Sequence, residues 1–169
     1  MEKHPDTPII QMDTVKGCRE QGKRLLTLHF CNTNMMLMFL MRDGKADTAI
    51  FRPANDPASS DYYILKSNGF VYQGFSWGVV GDVPITGDYD GDGKTDLAIF
   101  RPSSNTWYIL NSGDGSNTVA QFGSAGDVPL AFDLENDGKT NLAVYRSGTW
   151  YIARNTGVPA QNFEAVPFG

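Results

Sequence analysis

The sequence repeats itself in three aligned lines: DGKADTAIFRP from Asp43, DGKTDLAIFRP from Asp92 and DGKTNLAVYR from Asp137, set 49 and 45 residues apart. A second motif follows each of them, DYYIL at Asp61, TWYIL at Thr106 and TWYIA at Thr149. A third, an aromatic then glycine then GDVP, runs as FSWGVVGDVPITGDYD from Phe75 and QFGSAGDVPLAFDLEND from Gln121. A fixed period of this length means one supersecondary unit that cannot bury its apolar surface alone and stacks on its copies.

Within a unit the chemistry is that of strands. DLAIFR and WYILN are β-branched and aromatic runs of strand length, and PSSNT and SGDGSN between them are turn formers. Trp107-Tyr108-Ile109-Leu110 is apolar on both faces of the strand, so both faces are expected to be covered. Roughly four strands in about 45 to 50 residues, covered on both sides by neighbours, is the arithmetic of a propeller blade. A β-sandwich would give no reason for the long fixed period, and no segment of the repeats has the three-and-four spacing of a helix. The expected fold is all-β, about three blades of a partial or open β-propeller, with equivalent strands near 47–52, 95–101 and 140–146. Ala98, Ile99, Phe100, Tyr108 and Ile109 are expected in the core with Ile50, Phe51, Val144, Tyr145 and Ile152. The repeats divide as about 43–91, 92–136 and 137–169 within a repeat region 42–169, and the sequence stops partway through its own period at Val166-Pro-Phe-Gly169.

A net charge of −5 with scattered basic residues excludes the clustered Lys and Arg that phosphate binding needs, so no nucleic-acid partner is expected. The carboxylates are uneven. They crowd between Asp82 and Asp96, which is costly unless a cation or solvent relieves it. Cys18 and Cys31 lie outside the repeats and match no zinc spacing with His4 or His29, leaving free thiols or one disulfide. The start MEKHPDTPII has no signal-peptide pattern, and the apolar stretch 35–41 is too short to span a bilayer.

With these motifs in place, the sequence resembles the FG-GAP or VCBS-type repeat family, related to the repeats of integrin α-subunit propellers; Gly81 to Leu110, GDVPITGDYDGDGKTDLAIFRPSSNTWYIL, is similar to the bacterial version. The resemblance covers about residues 43–169. It implies propeller blades, calcium on the aspartate loop, a secreted or cell-surface location, and service in adhesion, carbohydrate binding or scaffolding, with a protein or carbohydrate as ligand. Three repeats fall short of the four to eight blades of closed propellers. Self-association or a longer parent protein would make up the difference, and the alternative role is an accessory part of a larger secreted carbohydrate-active enzyme.

The loop itself is explicit. Asp88, Asp90, Asp92 and Asp96 occupy positions 1, 3, 5 and 9, with Lys94 at position 7 offering its carbonyl and Gly91 and Gly93 permitting the turn. This is how a short loop wraps a hard cation in oxygen, here Ca2+; position 12 is Ile99, so it is no EF-hand. The third repeat presents Asp133, Glu135, Asp137, Lys139 and Asn141, a weaker set with one neutral ligand. The first aligns Phe39, Met41, Asp43 and Asp47, too few carboxylates to bind.

Residues 1–41 stand apart as an irregular leader. Met-Met-Leu-Met written ATG ATG CTG ATG contains Asp-Ala-Asp in another frame, so one reading makes the leader a frameshifted, non-native segment; the other makes it a divergent first strand. Arg52, Arg101 and Arg146 recur after the apolar strand, and a strand-closing role outweighs a ligand groove. Tyr62, Trp107 and Trp150 recur likewise and read as blade core, as does Trp77, aligned with Phe122. Both histidines lie in the leader, no nucleophile elbow or phosphate loop exists, and the paired carboxylates are those of the loop, so no enzyme activity is expected.

Overall fold

The structure, a computed structural model, describes residues 10–15, 25–30, 35–41, 46–54, 56 and 59–167; for 10–15, 25–30, 35–41 and 46 it describes the backbone. The described residues form strands and turns, with no helix. They fall into two compact units, Met1–Ser76 and Trp77–Gly169.

The first unit is one antiparallel sheet of β1 (Ile10–Val15), β2 (Leu25–Phe30), β3 (Met35–Met41), β4 (Ala46–Phe51), β5 (Tyr62–Leu65) and β6 (Tyr72–Phe75), each paired with the next. The second unit holds two four-stranded meanders. One runs β7 (Val83–Pro84), β8 (Leu97–Arg101), β9 (Thr106–Leu110) and β10 (Asn117–Gln121); the other runs β11 (Val128–Phe132), β12 (Asn141–Arg146), β13 (Thr149–Ala153) and β14 (Phe163–Pro167). These are three blade-like antiparallel sheets, as the period requires. The GDVP motif opens each sheet of the second unit, so the folded blade is out of phase with a repeat counted from the DGK line.

Turn chemistry sets the register. Arg146 pairs with Thr149 across Ser147 and Gly148, whose φ values of 46° and 81° are the left-handed pair that a tight hairpin of the right twist needs. In the longer turn of the middle repeat, Asn105 takes that role with φ 51°.

Within the second unit one core joins the two sheets. Ala98, Phe100, Trp107 and Ile109 from β8 and β9 pack with Leu142, Val144 and Ala153 from β12 and β13, joined by Phe122 and by partly buried Ile85, Tyr89, Ala120 and Tyr151. Phe100 and Trp107 stack at 5.2 Å, and the Trp107 indole N–H donates to the Phe122 carbonyl at 3.0 Å, so its one polar atom is satisfied. A polar seam runs beside this core. The Thr140 amide donates to the Asp88 carbonyl at 2.6 Å, and the Asp88 amide donates to the Thr140 hydroxyl at 3.0 Å. Gly87 permits that approach, because a Cβ there would sit 2.7 Å from Thr140 side-chain atoms.

The expected equivalent strands agree with β4, β8 and β12 to within a residue or two. Of the ten residues expected in the core, Ile50, Tyr108 and Tyr145 are partly buried and the others buried. Trp77 and Trp150 depart from the expectation of core aromatics. Both are partly exposed; Trp77 is held by its indole N–H on the Tyr108 carbonyl at 3.3 Å, and Trp150 lies against Tyr145 at 5.0 Å and Phe132 at 6.2 Å.

Candidate metal centre and the carboxylates of the repeats

The aspartate loop of the middle repeat is pinched shut at its base, where Gly87 and Asp96 form an isolated bridge and the Asp96 amide donates to the Gly87 carbonyl at 2.7 Å. Gly91 and Gly93, both at φ 83°, turn the chain inward. Their amides donate to the two oxygens of Asp88, each at 2.8 Å. Asp90 accepts the Asp92 amide at 2.9 Å, and Asp92 accepts the Lys94 amide at 2.8 Å. Carboxylate oxygens of Asp88, Asp90 and Asp96 thereby come within 4.8 Å of one another, the one such acidic group among the described residues.

Asp92 and Lys94 enter differently. The Lys94 ammonium lies 3.0 Å from the Asp92 carboxylate, which stands outside the three-carboxylate cluster. Gly113, from the turn after β9, closes over the loop; a Cβ there would lie 2.8 Å from an Asp92 oxygen.

Asp96 differs from its partners in being fully buried. Burial pushes its carboxyl above the usual range and the charge of Asp90 adds to this, while amide donors from Ser112 and Tyr89, both at 2.8 Å, oppose it. The same burial, with Asp96's charge beside it, raises the Tyr89 phenol, which donates to the Ile85 carbonyl at 2.7 Å. Three carboxylates drawn together with a buried member offer hard oxygen donors alone, which suits a divalent cation of the calcium type and not a thiophilic metal. Asp88, Asp90 and Asp96 would hold it, and the cation would supply the charge that offsets their mutual repulsion.

The third repeat arranges the same positions otherwise. Asp133 accepts amides from Asp137 at 3.2 Å and Gly138 at 3.0 Å, repeating the Asp88 geometry. Glu135, however, is taken by the Arg154 guanidinium at 2.9 Å, which also pairs with Glu164. The Asn155 side-chain amide donates to both Asp137 oxygens at 3.2 Å and to the Lys139 carbonyl at 3.4 Å. Protein donors thus occupy the groups that would face a cation. Asn141, fully buried, accepts the Leu134 amide at 2.8 Å and donates to the Ala153 carbonyl at 3.0 Å. In the first repeat Phe39 and Met41 lie on β3 and Asp43 lies outside the described residues; Asp47 is buried and accepts the Ser67 amide at 2.7 Å and hydroxyl at 2.9 Å.

Loop-position counting missed Arg154 and Asn155, because they come after β13, the second strand beyond the loop. It also missed the partner of the recurring arginine. Arg101 makes a bidentate pair with Asp82 at 2.9 and 2.8 Å, and Arg146 pairs in the same way with Asp127 at 2.5 and 2.8 Å. The aspartate is that of GDVP, immediately before the adjacent strand of the same sheet. The recurrence of GDVP beside AIFRP was the available signal. Each arginine also lies over a tyrosine ring: Arg52 on Tyr63 at 5.1 Å, Arg101 on Tyr108 at 4.6 Å and Arg146 on Tyr151 at 4.8 Å. These arginines clasp strands.

No helix among the described residues is long and apolar enough to cross a membrane. Neither the curated proteins nor the solved structures compared with the chain give a match. The model of the FG-GAP-like repeat family matches residues 88–144, from the first carboxylate of the aspartate loop to the middle of β12. Over that third of the chain the sequence is similar to FG-GAP-like repeats, the kind of repeat that builds β-propellers, in keeping with the threefold motif and the sequential four-stranded sheets.

Proposed function

We propose that this repeat module is a non-catalytic, calcium-binding element for extracellular binding, adhesion or scaffolding, and that calcium on Asp88, Asp90 and Asp96, with Asp92 and the Lys94 carbonyl, tightens its middle blade. The observation that carries the reading is the double use of Asp88. Its carboxylate belongs to the acidic cluster while its backbone is bonded on both sides to Thr140 of the next repeat. A cation that fixes Asp88 therefore also fixes the seam between the two sheets of the second unit. The third loop, with its carboxylates already engaged by Arg154 and Asn155, is the weaker site.

The size of the effect comes from mass action. For a dissociation constant of roughly 10⁻⁴ to 10⁻³ M, as in extracellular calcium modules, calcium at about ten times that value adds about 1.4 kcal/mol. Magnesium adds less, because it keeps its waters and demands a tighter octahedron. The test is a thermal melt in calcium and in chelator of the wild type, Asp90→Ala and Asp43→Ala. Calcium raises the melting temperature of the wild type and of Asp43→Ala, and Asp90→Ala loses most of that rise; an equal response in all three would show that the loop is only a turn.

A further inference from the structure

The second residue past β5, β9 and β13 is the same position in each repeat, held by Ser67, Ser112 and Asn155. In the first repeat both polar groups of Ser67 are spent on Asp47, the amide at 2.7 Å and the hydroxyl at 2.9 Å. In the third, the Asn155 side chain donates to both oxygens of Asp137 at 3.2 Å and to the Lys139 carbonyl at 3.4 Å. The middle repeat differs. The Ser112 amide holds Asp96 at 2.8 Å, as that of Ser67 holds Asp47, but the Ser112 hydroxyl is buried and has no hydrogen-bond partner. A buried hydroxyl left unpaired is costly and calls for a partner of its own.

The surroundings of that hydroxyl are fixed from two sides. It is three bonds from the amide that holds Asp96. The next residue, Gly113, comes so close to the loop that a Cβ there would lie 2.8 Å from an Asp92 oxygen and 3.6 Å from one of Asp90. Ser112 and Gly113 therefore cover the loop where Asp90 and Asp96 join Asp88 in the acidic cluster. A hydroxyl that lies beside carboxylates and donates to none of them keeps its oxygen lone pairs for a cation.

We propose that Ser112 is a further ligand of the calcium site, its hydroxyl oxygen closing the shell from the turn between β9 and β10. The inference rests on the reading of the aspartate loop as a calcium site. Calcium takes about six to eight oxygens, whereas four carboxylates and the Lys94 carbonyl, counted once each, supply about five. A neutral oxygen adds to that set without adding to the repulsion among the carboxylates. The matching side chains bring the opposite chemistry: Ser67 gives its proton to Asp47, and Asn155 turns N–H donors on the groups that a cation would need. One turn position thus separates a loop that takes calcium from loops whose own protein donors stand in for it.

Ser112→Ala in the full chain tests this, because it removes the hydroxyl and keeps the amide that positions Asp96. Calcium affinity is read by titration calorimetry, and the waters left on the ion by the luminescence decay of bound terbium in light and heavy water. Wild type and S112A melt alike in chelator, S112A binds calcium about tenfold more weakly, and its terbium carries one more water. S112N, which brings in the residue of the third repeat, loses affinity as well and decides the matter should S112A fold poorly. Unchanged affinity and hydration in both variants overturn the proposal while leaving the carboxylate site standing. A weaker S112A with unchanged hydration also overturns it, since Ser112 would then act through Asp96 and not as a ligand. A wild type that binds neither calcium nor terbium removes the calcium reading itself, and this inference with it.

Discussion

The buried pair of Asp127 and Arg146 is asymmetric, and the asymmetry sets the cost of cutting it from either side. The Asp127 side chain is wholly buried, whereas that of Arg146 is 38% exposed. Replacing Arg146 with Met removes the guanidinium that lies over the Tyr151 ring and strands a carboxylate that is left with the Ser124 amide at 2.8 Å as donor. Breaking a fully buried pair in this way costs about 3–5 kcal/mol; with one partner already reaching water, about 2–3 kcal/mol is expected here. Asp127→Asn keeps the shape and an acceptor for Ser124, and it releases an arginine that can rehydrate, so it costs about 1–2 kcal/mol. The Arg146 guanidinium holds the Asp127 carboxyl below the usual carboxylate range, with the Ser124 amide helping. A depressed folded pKa contributes stability that is fully present above the unfolded value of about 4 and is lost as pH falls through the folded value. The gap between wild type and Arg146→Met is therefore constant near neutrality and closes in acid below pH about 4. Urea unfolding of both variants from neutral pH to about pH 2.5 reads these numbers, a loss of about 2–3 kcal/mol moving the midpoint by about 1–2 M. If Asp127→Asn costs as much as Arg146→Met, or if the gap survives in acid, the reasoning is wrong.

Three further outcomes can be checked in the same way. Gly87→Ala drives a Cβ to within 2.7 Å of Thr140, so it opens the seam at a cost of about 1–3 kcal/mol, and Thr140→Ser in the same chain recovers part of the loss. Asn141→Asp gives the third loop its fourth acid but removes the donor to the Ala153 carbonyl; it destabilises by about 1–3 kcal/mol and gains no calcium response in titration calorimetry. Gly113→Ala, which crowds Asp92, weakens calcium binding while leaving the melt in chelator within about 0.5 kcal/mol of wild type.

The strands were legible because their signal is local and threefold. AIFRP and WYIL are β-forming by composition, each bounded by Gly, Asn or Ser, and the repetition at Asp43, Asp92 and Asp137 removed the ambiguity of a single apolar run. The aspartate loop was legible as a list of candidate oxygen donors, yet its geometry was not. Nothing in DYDGDGKTD says that Asp96 is drawn to the Ser112 amide, since that bond comes from the turn between β9 and β10. In the third repeat the engagement of Glu135 and Asp137 by Arg154 and Asn155 spans 18 to 19 residues of sequence, and the matching residues of the middle repeat are Asn111 and Ser112. Burial of the aromatics was misjudged at Trp150 for another reason. A residue's place in the repeat fixes which face it lies on, whereas its exposure depends on what packs against that face.

The ninth residue of each loop, Asp47, Asp96 or Asn141, is buried and reaches past its own loop to fasten the end of the following strand, through Ser67, Ser112 or the Ala153 carbonyl. That fastening is present in all three repeats although the preceding positions differ. The positions before the ninth can therefore drift by single substitutions, as between Asp90 and Glu135, with the fastening left in place. A gene that duplicates such a unit inherits copies whose ion preferences are free to diverge while their strands remain interchangeable.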